Sequence, residues 1–247
     1  MKIERPKLIA IVGGSGSGKS WLADHLHKSL GATAARVSLD DFYRVHPRMS
    51  AAARAKINFD HPREIDWPLF ETAIRNFQKG RAVRAPHYDF TTHTRQENHK
   101  LWLPRPLVLV DGLWLLWQRS IRSLFDLTIF IESPTLLRLE RRAARDVIER
   151  GRSLSSVREQ FWKTVVPMHD LYVEPQINHA DLVLKQPLSA ADVNHALQTV
   201  KKLLPEKASL KRRGDSSRYV LSQPSEIFIG GALSARLSEM PYYAFAH

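Results

Sequence analysis

The sequence predicts an α/β fold, a doubly wound domain built on a mostly parallel sheet. Three observations point there. Short, β-branched apolar runs alternate with helical patterns along most of the chain. A glycine-rich stretch joins the first apolar run to the first helical pattern. Two of the later runs end in acids, and the carboxyl ends of the strands are where an open parallel sheet collects its ligands.

The elements follow in order. "KLIAIV" is the first strand. Behind "MKIERP" it superficially resembles a signal peptide, but its apolar run is only Leu8 to Val12 and no small-residue cleavage site follows. A helix starts at Lys19, and "ARVSL" is the second strand. Residues 45–104 are polar and rich in His, Arg and Pro. They read as an insertion over the active face, between the second and third strands, with a helix over about Ile65 to Gln78. "PLVLV" and "LTIFI" are the third and fourth strands. A helix follows in "SPTLLRLERRAARDVIERG", with Ser133 as cap, Pro134 at the first helical position and Gly151 past the end. "SLSSVREQFWKTVV" is a further helix, "ADLVL" the last strand and "SAADVNHALQTVKKLL" the last helix. Each strand is apolar on successive positions, so both of its faces are covered, as in a parallel sheet.

The expected domain is residues 1–204, with 134–167 as a helical lid, and residues 205–247 form a basic linker and appendage with no functional reading. Composition supports this layout. An apolar fraction of 43% over 247 residues is enough for a packed core. The absence of cysteine excludes disulfides, thiolate metal sites and cysteine nucleophiles, and it is compatible with a cytoplasmic setting. No apolar run approaches the ~20 residues of a membrane helix, so no membrane association is expected. The formal charge of +12 favours an anionic partner. Nucleic acid, a membrane surface and a phosphorylated small molecule are such partners, with general solubility as the bland reading; no nucleic-acid motif is recognised, so no nucleic acid is expected.

"GGSGSGKS", from Gly13 to Ser20, carries the chemistry. It fits G-x-x-x-x-G-K-[ST] between a strand and a helix, the context of a phosphate-binding loop of the P-loop NTPase type. Gly13, Gly14, Ser15, Gly16, Ser17 and Gly18 let backbone N–H groups turn toward a phosphate chain. Lys19 reaches the β- and γ-phosphates of ATP, and Ser20 is a Mg²⁺ ligand. Asp111, at the end of "LVLV", is an acid in an apolar segment and needs a partner. An arginine, a helix N-terminus or a metal ion would serve. With a phosphate loop at the same sheet edge, Mg²⁺ becomes the natural counter-charge. Asp40, at the end of "ARVSL", stands at that edge too. Along a strand Asp40 and Asp41 point to opposite sides, so only one faces the site. Arg138, Arg142 and Arg145 share one helical face, a pattern that is usually solvated.

From Leu8 to Leu184 these stretches resemble the uridine kinase family of P-loop kinases, within the wider group that contains phosphoribulokinase. The resemblance is carried by "GGSGSGKS", the D-x-F-Y of "DDFY", "NFDHP", "YDFTTHTR", "RRAARDVIERGR", "EQF" and "EPQINHADLVL", in that order. It implies phosphorylation of uridine or cytidine at the 5′-hydroxyl, with ATP and Mg²⁺. It selects Asp40 as the acid that takes the hydroxyl proton. Asp60 would hold ribose hydroxyls, Tyr88 and His93 would contact the pyrimidine, and Arg142, Arg152 and Gln160 would lie on the nucleoside side. Arg145 and Arg150 would belong to the lid over the phosphates, and Asp181 would lie near the adenosine of ATP. The blander readings are packing for Tyr88, a satisfied loop histidine for His93 and a helix-surface residue for Gln160. The implied partner is a nucleoside, and a homo-oligomer is left open. Two departures stand out: Asp111-Gly112 replaces the family's usual Glu-Gly, and "REIDW" replaces its usual continuation after "NFDHP". The rival readings are a kinase of a sugar phosphate or pantothenate, and a non-catalytic nucleotide or nucleic-acid binder.

Overall fold

The computed structural model describes residues 5–54, 56–90, 92 and 94–204; His93 and the 205–247 appendage lie outside the described residues. In chain order the elements are β1 (Lys7–Gly13), α1 (Lys19–Leu30), β2 (Ala34–Ser38), α2 (Ala51–Arg54), α3 (Trp67–Gln78), β3 (Val83–Asp89) and β4 (Thr94–Trp102). Then come β5 (Leu107–Gly112), α4 (Arg119–Arg122), β6 (Leu127–Glu132), α5 (Thr135–Arg150), α6 (Leu154–Gln160), α7 (Val166–Met168), β7 (Leu182–Lys185) and α8 (Ala190–Lys201).

The five expected strands form one sheet in the order β2-β5-β1-β6-β7. All neighbours are parallel, with Ile11 opposite both Asp111 on β5 and Ile129 on β6. The chain leaves β1 toward β2 on one side and later fills β6 and β7 on the other. The direction of winding therefore reverses beside β1, where an open α/β sheet forms its ligand crevice.

The two-residue strand period divides β1 between two cores. Leu8, Ala10 and Val12 pack with Val108, Val110 and Phe130 beneath Phe70, Ile74 and Phe77 of α3. Ile9 and Ile11 pack with Leu109 and Ile129 beneath Leu22 and Leu26 of α1 and Val193 and Val200 of α8. Each of these side chains larger than alanine contributes about 1.5–3 kcal/mol by leaving water.

Local signals set several ends. Asp66 caps α3 by accepting from Leu69 N (3.3 Å), with Pro68 in the first turn. Ser189 and Asp192 form a reciprocal capping box on α8. Gly151 ends α5 in the left-handed region at φ 61°. The start of α5 differs from expectation by one residue. Pro134 is the cap, its carbonyl accepting from Arg138 N, and Ser133 makes no capping bond.

Two regions needed tertiary information. Within the insertion, β3 and β4 pair as an antiparallel hairpin with a bulge between Ala85 and His87. That bulge, with Pro86 in it, breaks the alternation that would have announced a strand. The helix expected to close at Val166 instead continues past Gln160 through wide π turns at Phe161–Val165 and His169–Val173, then a tight turn over Glu174–His179. Pro167 lies between the wide turns, where the regular hydrogen-bond ladder is already interrupted.

Candidate active site

The phosphate loop leaves β1 at the sheet's carboxyl edge and runs into α1, whose first-turn N–H groups and dipole face an incoming anion. Gly16 sits at φ 81°, and a Cβ there would overlap the Arg138 carbonyl, so only glycine lets α5 pack this close. Ser15, Ser17 and Lys19 are buried.

Asp111 is the penultimate residue of β5 and is 1% exposed. Its Oδ2 accepts from Ser20 Oγ (2.8 Å), which joins the two expected metal ligands. Its Oδ1 accepts from Arg36 Nε (3.2 Å) and lies 3.1 Å from Arg36 Nη2. Arg36 Nη1 then reaches Asp24 Oδ1 at 2.6 Å. The acid therefore has both an arginine and a loop hydroxyl as partners. Arg36 was missed in the sequence, although a lone cation inside an apolar strand needs a partner as much as the acid does. Gly112 follows because a Cβ there would sit 2.6 Å from Leu39 Cβ.

Asp40 and Asp41 do separate, but not by strand alternation. β2 ends at Ser38, and both acids lie in the tight turn Leu39–Phe42, where Asp40 N donates to Ser38 Oγ (3.3 Å). Asp41 Oδ1 contacts His87 Nδ1 (3.1 Å) and accepts from Tyr88 N (3.4 Å), so this acid anchors the hairpin. Asp40 Oδ1 is buried with no hydrogen-bond partner among the described residues. Burial raises the Asp40 pKa. Lys19 opposes the rise, Asp111 adds to it, and Arg145 and Arg150 oppose it. Burial lowers the Lys19 pKa, against the pull of Asp40 and Asp111 and with the push of Arg145 and Arg142. These mutual effects gather Lys19, Asp40, Asp111, Arg145 and Arg150 into one electrostatic site.

The arginine face of α5 is not simply solvated, because Arg138 and Arg142 are buried. Arg142 Nη1 donates to Ser15 Oγ (3.0 Å) and Asp60 Oδ1 (3.2 Å), and its Nη2 donates to Gln160 Oε1 (3.2 Å). Arg152 Nη1 meets the same Gln160 oxygen. Asp60, Arg142, Arg152 and Gln160 thus form one cluster against the loop. Arg150 stacks over the Phe90 ring at 4.7 Å. Beside Ser15 and Asp60, a narrow cleft is lined by Trp114, Met168 and His169. His169, also missed in the sequence, is held near pKa 3 by burial and by Arg138, and its Nε2 lies 2.9 Å from Glu174 Oε2.

Two expected residues stand elsewhere. Tyr88 is 2% exposed, with its ring 5.2 Å from those of Tyr43 and Phe90, and burial pushes its hydroxyl pKa up to about 12. It packs the wall of the site rather than presenting an open face to a base. Asp181 is not beside the phosphate loop. Its Oδ2 accepts from Thr128 N (2.8 Å) and Thr128 Oγ1 (2.7 Å) near the amino end of β6, the opposite edge of the sheet. The strand start offers unpaired N–H groups there, and the acid satisfies one.

Comparison with known proteins agrees with this geometry. Residues 8–193 match the phosphoribulokinase / uridine kinase family. The chain is 32% identical over 209 residues to a uridine kinase of Halobacterium salinarum, covering 85% of this chain and 93% of that protein. It is 36% identical over 188 residues to a uridine kinase of Lactobacillus johnsonii, covering 75% and 89%. In three dimensions it is similar to phosphoribulokinase from Rhodobacter spheroides, at a TM-score of 0.55 and 18% identity, covering 74% of this chain and 71% of that one. It is also similar to D-glycerate 3-kinase from Cryptococcus neoformans, at a TM-score of 0.53 and 18% identity, covering 70% and 80%. The phosphate loop, the acids at the carboxyl edge and the arginines of α5 all fall within the matched stretch, and the chain belongs to the phosphoribulokinase / uridine kinase family of phosphotransferases.

Proposed function

We propose that the protein transfers the γ-phosphoryl group of ATP to the 5′-hydroxyl of a pyrimidine ribonucleoside, uridine or cytidine, releasing ADP and the nucleoside monophosphate. The observation that carries this reading is Asp40. Its buried, unbonded oxygen sits in the same electrostatic site as Lys19. A protein that only binds nucleotide needs no such acid. The uridine kinases among the relatives support the acceptor class.

In this mechanism the loop amides and Lys19 hold the phosphate chain. Asp60, Arg142, Arg152 and Gln160 hold the nucleoside beside Ser15. Asp40 accepts the hydroxyl proton as the 5′-oxygen bonds to the γ-phosphorus, and the bond from that phosphorus to the bridging oxygen of ADP breaks. Arg145 and Arg150 offset the charge that develops on the transferring group, and a lid over residues 134–167 excludes water. Ser20 and Asp111 fit a Mg²⁺ ion, being a hydroxyl and a buried carboxylate 2.8 Å apart at the loop. Ser20 and Asp111 would hold the ion, and it would supply positive charge to offset the charge of the phosphates. Such a reaction belongs to cytoplasmic pyrimidine salvage.

The rival acceptor is another small hydroxyl compound, since D-glycerate 3-kinase shares the fold. ADP release with uridine, cytidine, a sugar phosphate and pantothenate decides between them. Turnover is expected with the nucleosides. Turnover confined to the others would overturn the acceptor, and turnover with none would favour a nucleotide binder.

A further inference from the structure

Asp146 lies in the fourth turn of α5 and is 0% exposed. Four arginines converge on this one carboxylate. Arg145 approaches Oδ1 through Nε (2.9 Å) and Nη2 (2.8 Å), and Arg150 Nη1 lies 3.5 Å from the same oxygen. Arg142 Nε is 3.5 Å and Arg152 Nη1 is 3.7 Å from Oδ2. Asp146, with Asp60 beside Arg142, sets two carboxylates against four guanidinium groups, so the cluster keeps a positive excess that an anion would complete. The two oxygens also divide the arginines by role. Oδ1 serves Arg145 and Arg150, whose charges act on Asp40. Oδ2 makes no hydrogen bond among the described residues and lies at ion-pair distance from Arg142 and Arg152, which share Gln160.

We infer that Asp146 is a positioning residue for phosphoryl transfer, a shared counter-ion that sets the phosphate-side arginines against the acceptor-side arginines. The inference rests on the kinase reading above. The Nε hydrogen bond to Oδ1, with Nη2 closing on the same oxygen, turns the Arg145 guanidinium toward the acid. The acid itself is closed off from solvent. It acts by orienting groups that meet the substrates, and misplacing such groups by about 1 Å costs on the order of 10²-fold in rate.

The test compares Asp146→Asn, Arg145→Met and the double variant for kcat, KM and melting. Asp146→Asn is expected to lose about tenfold to a hundredfold in kcat, with KM for ATP changed less than about threefold. The double variant should be no slower than Arg145→Met alone, because the acid works through that arginine. Rates within about twofold of wild type, or losses that simply multiply in the double variant, would overturn the inference. Should Asp146→Asn fail to fold, Asp146→Glu keeps the charge and displaces it by one methylene. It should melt normally yet lose at least about fivefold in kcat, and a wild-type rate would count against the role. A second readout needs no acceptor. AMP-PNP should slow hydrogen exchange across α5 and α6 in the wild type but not in Asp146→Asn, and equal slowing in both would refute the role. If the wild type phosphorylates no nucleoside, the acceptor assignment fails while the exchange measurement still decides the case for Asp146.

Discussion

Burial drives Asp40 and Lys19 toward their neutral forms, while each draws the other toward its charged form. For Asp40 the consequence has a definite sign. A carboxyl whose pKa is raised by folding lends stability below its ordinary value and loses it as pH rises through the raised one. Ionised Asp40 is therefore a cost to the fold at neutral pH, accepted for reactivity. Asp40→Asn should melt above wild type at neutral pH, with the gap closing in acid, while kcat falls by ~10²–10⁴. Asp41→Asn should leave kcat nearly intact, since its partners belong to the hairpin. A larger kcat loss for Asp41 would exchange the two assignments. Asp111 is the second residue-scale case. Breaking a buried pair costs about 3–5 kcal/mol, so Asp111→Asn should lower the melting temperature through lost Arg36. If the acid also serves Mg²⁺, the same variant should need more Mg²⁺ for half-maximal rate, whereas Arg36→Met should lose stability without that added requirement. A Mg²⁺ titration beside thermal melts of both variants separates the roles, and an unchanged requirement in Asp111→Asn would make the acid purely structural.

At the scale of elements, the hairpin of β3 and β4 and the helix α5 close on the site from two sides, and Arg150 over Phe90 joins them. The hairpin is held by aromatic packing, with Tyr88 against Tyr43, Phe90 and Phe59. Such edge-on and tilted pairs add to area burial. Tyr88→Ala should cost about 3–5 kcal/mol, as large-to-small aromatic changes do, and should raise KM for uridine more than KM for ATP. Tyr88→Phe keeps the ring and should leave the uridine KM near wild type. A rise as large as that of the alanine variant would show that the hydroxyl, and not the packed ring, meets the substrate.

For the whole molecule, the sheet order places β1 between β5 and β6, so the loop, Asp111 and the start of α5 share one edge. A ligand there touches segments far apart in sequence and should stabilise the domain as a unit. AMP-PNP with Mg²⁺ at a hundred times its Kd is worth about 2.7 kcal/mol by mass action. Lys19→Ala should keep the wild-type circular dichroism, lose that melting shift and lose turnover. A full shift in this variant would detach Lys19 from the phosphates.

The strands, most helix starts and the phosphate loop were legible in the sequence because their determinants are local. Continuous apolar runs, Ser189 at a helix start, Gly151 at a helix end and "GGSGSGKS" between strand and helix each act within a few residues, whereas the helix expected from Ile65 starts at Trp67 behind Asp66. The position of Asp111 at a strand end was legible for the same reason. Which groups answer it was not, because Ser20 and Arg36 reach it across 91 and 75 residues of chain. Only the parallel pairing of β2 with β5 brings Arg36 to that carboxylate. The inward turn of Arg138 and Arg142 and the burial of Asp146 beneath four arginines are likewise tertiary. A charged helix face reads as solvated until the loop and the acceptor-side residues are packed against it. Asp181 shows the same limit from the other side. Asp181 precedes its apolar run, so chain direction already sets it at the amino end of β7, away from the phosphate loop, but its partner Thr128, 53 residues away, is found only through the packing.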